Sequence, residues 1–285
     1  MLKKTRARES HDPDGTMPIP SWLQSTSPPV ALSIECRAYT EGPPLTVHLI
    51  NIAKAIFLMA LVDFLVLRRF FPDQKTRWFA LHCLTNAAIV VGCVPDMVEL
   101  SARPLCVAVE PTSSYYPGYY AWGLHAYHLA AYTDLRLEDF VHHVLFAGLL
   151  GPFNYSYEWG RMTNLLVFFM TGLPGGIDYG CLVLVKSGRL NRIHQKSICS
   201  TINNWCRVPG LVATATLMAS VAMHGAIRAP GWVVAIVTCL CLLNGLYYGE
   251  QAIGTYHRLA ALSPTHKDKQ VGEIVREAVK SKNGK

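Results

Sequence analysis

Apolar residues in this chain come in long blocks separated by short polar links, with no strand-like alternation. Seven blocks approach the 17–25 residues that cross a hydrocarbon layer roughly 30 Å thick. They cover 45–67, 78–100, 118–134, 139–155, 161–185, 209–227 and 231–255. The third and fourth are short and carry several polar groups, so hydropathy alone would merge or miss them. The pattern predicts an all-α, polytopic helical membrane bundle of about seven transmembrane helices, with no internal repeat. Residues 1–44 read as an extended arm rich in Pro, Ser and Thr, and 259–285 as a polar, basic tail around a membrane domain at 45–258. The opening MLKKTRARESHDPDG lacks the apolar core of a secretory signal, and its acids do not suit a mitochondrial presequence, so no cleavable address is expected.

Composition agrees with this reading. Of 285 residues, 51% are hydrophobic and 16% charged, where a soluble domain carries about a quarter charged. The net charge of +7 gains meaning only once it is placed along the chain. Arg68, Arg69, Lys75 and Arg77 follow the first block, and Lys186, Arg189, Arg192, Lys196 and Arg207 follow the fifth. With seven spans every basic link falls on one side, which predicts a cytoplasmic C-terminus and a lumenal N-terminus. No nucleic-acid partner is expected. Membrane lipids are, and the arm could order against a protein partner. The stretch 187–208 reads as an amphipathic connector against a leaflet, or as an ordinary basic loop.

The nine cysteines contain no CxxC pair and mostly lie in apolar blocks, so they read as small core residues. Cys36 and Cys106, placed on the same side, are the one pair that could form a disulfide.

Ionisable groups inside spans are costly and tend to face a bundle interior. The richest stretch is LHAYHLAAYTDLRLEDFVHHVLFAG. His125, His128 and Tyr132 share one helical face. After a polar break, Asp139, His142 and His143 share another at i, i+3 and i+4. Two antiparallel helices joined by a short turn would bring these faces together. His82 with Asn86, the stripe Asn164–Thr171–Asp178 broken by LPGG at 173–176, and His224, Asn244 and Glu250 are further intramembrane polar groups. The bland alternative for His82, His224 and Asn244 is an interhelical hydrogen bond, and for Asp178 a cross-bundle ion pair. His142, His143, Asp139 and His128 are the candidate catalytic set. His125, Tyr132, His82, Asn164 and Asp178 are candidate substrate contacts.

Such a cluster suits three roles. A histidine could act as general base in acyl transfer from a thioester, with a second group holding the oxyanion. Imidazoles and carboxylates could bind iron or zinc, but one HxxH and one HH fall short of the roughly eight histidines of membrane di-iron enzymes, so no metal is expected. Or the groups could hold a lipid head group or merely line a polar core.

The stretch 122–148 resembles the central motif of the TLC-domain family, which includes the ceramide synthases. Asp139, His142 and His143 match its acid and paired histidines, and the preceding helix with His125 and His128 also fits. The resemblance implies a multi-span helical protein of the endoplasmic reticulum. It also implies an acyltransferase of ceramide-synthase type, with His142 or His143 as base and acyl-CoA as co-substrate. This chain follows the pair with VLFAGLLGPFNYSY, without the polar Ser/Thr and Arg positions of the synthases, and Asp178 stands without a second aspartate. A non-enzymatic lipid-binding protein, or a subunit of a membrane complex, therefore stands beside the enzyme reading.

Overall fold

A computed structural model describes residues 42–104, 108, 110–132, 137–224, 227 and 229–262. The N-terminal arm up to residue 41, both Cys36 and Cys106, the side chain of Asp139 and the tail from 263 lie outside the described residues. Seven helices follow in chain order, and no strand occurs among the described residues. They are α1 (Leu45–Phe70), α2 (Gln74–Ala102), α3 (Tyr116–Ala131), α4 (137–156), α5 (Met162–Lys186), α6 (Arg192–Met223) and α7 (Gly231–Ala261). Five of them, α1, α2, α5, α6 and α7, are long and apolar enough to cross a membrane. The other two, α3 and α4, are the polar pair that carries four of the histidines.

The chain marks its own helix starts. Pro44 precedes α1, and Asp73 caps α2 by accepting from the Thr76 backbone N–H at 2.9 Å and its hydroxyl at 2.7 Å. Asn191 caps α6, accepting from the Ile193 N–H at 3.1 Å. Because that cap starts the helix at Arg192, the stretch read as a connector continues into the sixth span as one rod of 32 residues. At 1.5 Å per residue it is about 48 Å long, well beyond the hydrocarbon thickness.

Helix α2 packs against α3 and α5, α1 lies on α3, and α6 pairs with α7. Close approach relies on small residues: a Cβ on Gly123 would meet Ala55 of α1 at 3.2 Å, and one on Gly245 would meet Leu211 of α6 at 3.2 Å. One core joins α1, α2 and α3 around Leu81, Leu124 and Met59. Another joins α4 through α7 around Leu150, Met162, Leu211, Met218 and Val233. Phe57, Phe64, Val91 and Val98 point outward, as lipid-facing side chains should.

Among the described residues, four helices widen into π-helical stretches; that of α1, Val62–Leu67, has no proline in the segment after it, and the other three share a kind of place. Single π-helical turns occupy Val144–Leu150 in α4, Phe168–Gly172 in α5 and Asn203–Arg207 in α6. Each directly precedes a helix segment whose first or second residue is proline: Pro152, Pro174 and Pro209. Proline cannot donate to the carbonyl four residues back, and its ring pushes that carbonyl away. Here those carbonyls belong to Gly148, Met170 and Trp205, all inside the widened turns. The helix absorbs the conflict as a π turn instead of breaking.

Candidate functional site

The three proline-linked turns meet. A cavity of about 320 Å³ lies between α2 and α7, and it is lined by Phe146, Ala147 and Leu150 of the first turn, Met170 and Thr171 of the second, and Arg207 of the third. Its volume falls in the range of small-ligand sites. One end is polar, with His82, His125, His142, Asp178, Tyr179, Arg207, Asn244 and Tyr248 in its wall. The rest is mostly apolar and aromatic, with Thr171 along the wall, and the far end is reached at Gly118, Asn154, Tyr155 and Trp159. From His142 to Tyr155 along α4 is thirteen residues, or about 20 Å.

The antiparallel helices α3 and α4 bring His125, His128, His142 and His143 together. Ring centroids stand 5.1 Å apart for His125–His143, 5.7 Å for His125–His142 and 4.8 Å for His128–His143. His82 of α2 joins at 6.2 Å from His128. The adjacent histidines take different roles, because consecutive helical residues point about 100° apart. His143 is buried and shares a proton with His128, Nε2 to Nδ1, at 3.1 Å. His142 faces the cavity beside Phe146 and Tyr248.

The other imidazoles are oriented by their neighbours. His125 Nδ1 lies 2.7 Å from the Ala121 carbonyl. A carbonyl only accepts, so Nδ1 carries the proton and Nε2 is left with the free lone pair. His128 stacks on Trp78, with centroids 3.6 Å apart. His82 is sandwiched between Trp78 and Tyr179, is 6% exposed, and neither of its nitrogens has a hydrogen-bond partner. Asn244 likewise lines the cavity with its carbonyl oxygen unpaired. Asp178 accepts from Gln195 Nε2 at 2.6 Å, which lays the first turns of α6 over the polar end. Arg207 is steadied by Asn203 at 2.9 Å, and its Nε has no partner.

Two sequence candidates lie elsewhere. Tyr132 ends α3 in extended backbone, and its hydroxyl donates to Asp63 at 3.2 Å. There it joins Tyr127, which donates at 2.8 Å, and the Asp63–Arg77 ion pair at 2.7 Å. Asn164 is fully buried at the opposite end of the bundle. Its amide donates to Asp96 at 2.7 Å, to Thr112 at 2.8 Å and to the Ser114 carbonyl at 2.9 Å. Of the other polar residues read from the sequence, Thr171 donates to Asn86 at 3.0 Å, His224 bonds its own helix at the Ser220 carbonyl, and Glu250 is exposed. Among the described residues, no group of three or more His, Cys, Asp or Glu side chains is arranged to hold a metal ion.

Sequence reading missed Tyr179, Tyr248 and the cavity role of Arg207. Arg207 was counted only as a topology charge, though it stands two residues before Pro209, inside a widened turn. Compared with protein-family models, curated proteins and solved structures, the chain matches none. Its function therefore has to be argued from the site.

Proposed function

We propose that this multi-pass membrane protein is a TLC-like lipid enzyme that holds a fatty-acyl group in the cavity and transfers it, with His142 as general base. The observation that carries this reading is a single cavity with imidazoles, a carboxylate and a guanidinium at one end and mostly apolar walls along the remainder. An amphiphile has the same division.

Chemically, the acyl carbonyl of a thioester such as acyl-CoA would sit at the polar end. An amine or hydroxyl attacks the carbonyl carbon, and His142 Nε2 or Nδ1 takes its proton. The new amide or ester forms as the carbon–sulfur bond breaks, and the proton passes to the leaving thiolate. Tyr179 and Arg207 are the donors in the wall able to stabilise the oxyanion. The His128–His143 pair acts as a positioning unit that fixes α4 against α3. The resemblance of 122–148 to the TLC motif supports the same reading, and with it we propose the endoplasmic reticulum as location, with the basic ends of α1 and α5 toward the cytoplasm.

A second reading is favoured by one specific observation. His128 and His143 bond each other, which is how a lipid carrier or complex subunit without chemistry would use them. Lipid extraction from the purified protein, followed by mass spectrometry and an acyl-CoA turnover assay, separates the two. The enzyme reading expects an acyl species and turnover in the wild type, with turnover lost in His142→Ala. Retained lipid with no turnover in either protein selects the carrier. Bulk phospholipid alone, unchanged by the mutation, removes both.

A further inference from the structure

We infer that the cavity admits one linear acyl chain, methyl end first, and that Trp159 sets the longest chain it accepts. This rests on the lipid reading above and adds which lipids qualify. The first argument is volume. The cavity holds about 320 Å³, roughly twice the ~150 Å³ that accommodates a benzene ring, so it suits on the order of a dozen carbons. A two-chain lipid needs far more. The second argument is direction. The imidazoles, the carboxylate and the guanidinium in the wall all stand at the His142 end, whereas the far end holds the Asn154 amide and the Tyr155 phenol, so the apolar tail has one way to point.

The third argument is the closed end. Trp159 sits in the link between α4 and α5, is 3% exposed, and is held by its indole N–H donating to the Phe153 carbonyl at 3.0 Å. Gly160 follows with φ of 58°, a left-handed turn that sends the chain back up into α5, and Trp159 lines the cavity at this turn. Immediately beyond come Arg161 and Asn164, tied to Asp96. An advancing methyl group would have to desolvate that charged network, which costs far more than further apolar contact gains. Leu166 narrows the same end from α5.

The test uses full-length protein in detergent, delipidated and offered an equimolar series of saturated linear fatty acids, with the bound profile read by mass spectrometry. Wild type should retain a peak on the order of a dozen carbons. Trp159→Ala should move the peak to longer chains by several carbons, and Leu166→Phe should move it to shorter ones. The opposite directions guard against a variant that merely folds poorly. Chains retained with the same profile in both variants would overturn the Trp159 limit and leave the lipid reading standing. No fatty acid retained even by wild type would remove the lipid reading itself.

Discussion

Two of the bundle's polar clusters stand at opposite ends, around Asp96 and around His142, and they are built differently. Around Asp96 the carboxylate itself is fully engaged, and the unpaired atoms of the network, Asn164 Oδ1 and Arg161 Nε, belong to its donors. Its carboxylate accepts from Thr112 at 2.6 Å, from the Ser113 N–H at 3.0 Å and from Asn164 at 2.7 Å. Arg161 stands 3.3 Å away and reaches Glu110 at 3.3 Å with its other nitrogen. Around His142 the polar groups border empty volume, and His82 and Asn244 keep unpaired atoms there. A satisfied network in low dielectric fixes structure. A half-satisfied one that adjoins a cavity costs stability, and a cost of that kind is what a ligand site carries. Counting polar residues within spans does not separate the two. Accounting for their partners does.

Breaking the Asp96 network should have the largest effect. Asp96→Ala leaves Arg161 with Glu110 alone and takes the acceptor from Thr112, the Ser113 N–H and Asn164, and should lower unfolding free energy by about 3–5 kcal/mol, read from thermal or denaturant unfolding in detergent. His142→Ala, measured alongside, should cost less than Asp96→Ala, because His142 is only half-buried on the cavity wall and its loss strands no charge. Equal losses for the two variants would erase the contrast.

His82→Leu sharpens the comparison from the other side. Replacing a buried, unpartnered imidazole by an apolar side chain of similar size removes an uncompensated burial, so stability should be unchanged or rise by about 1 kcal/mol, while retention of the fatty-acyl occupant falls. A clear loss of stability would mean that the Trp78–His82–Tyr179 stack is structural, and the histidine end would no longer differ in kind from the Asp96 end.

How much of this was legible in the sequence follows from the same physics. The helices were legible because lipid requires long apolar runs, and α3 and α4 stood out because their polar residues shortened those runs. The meeting of His125 and His128 with His142 and His143 follows from helical spacing and a short turn. The Asn164–Thr171–Asp178 stripe was real as a line but misleading as a site. Fourteen residues span about 21 Å, so its ends serve different clusters, Asp96 at one and Gln195 at the other. The early start of α6 was obscured by its basic residues, which read as a loop. The cavity was hidden because it depends on where three helices deform. Only Pro174, within LPGG, was read as a break, while Pro152 and Pro209 carried the same signal unnoticed.

Outside both clusters, Asp73→Ala serves as a calibration. Losing the α2 cap should cost about 1 kcal/mol, measured by the same unfolding assay, and it should leave both the Asp96 network and acyl retention unchanged. The two Thr76 bonds hold the Asp73 carboxyl below its usual range, so the benefit of the cap is present at neutral pH and disappears as pH falls through that lowered value.

Glu158 offers the smallest effect and the opposite sign. It lies in the link between α4 and α5, beside the charged end of the bundle. Burial pushes its carboxyl upward, and only Tyr115, donating at 3.2 Å, pulls the other way. Below the usual glutamate range, near 4.3, the group is neutral in both folded and unfolded chains, and its contribution to stability is fully present. As pH rises, the unfolded chain ionises first, and stability declines until the raised folded value is passed. The Asp73 and Glu158 slopes thus oppose each other, and each vanishes with its own substitution. Unfolding midpoints measured across mildly acidic to neutral pH should decline more steeply in wild type than in Glu158→Gln. Parallel curves would mean that Glu158 is solvated like any surface acid, and that the closed end of the cavity is less dry than the Asp96 network beside it implies.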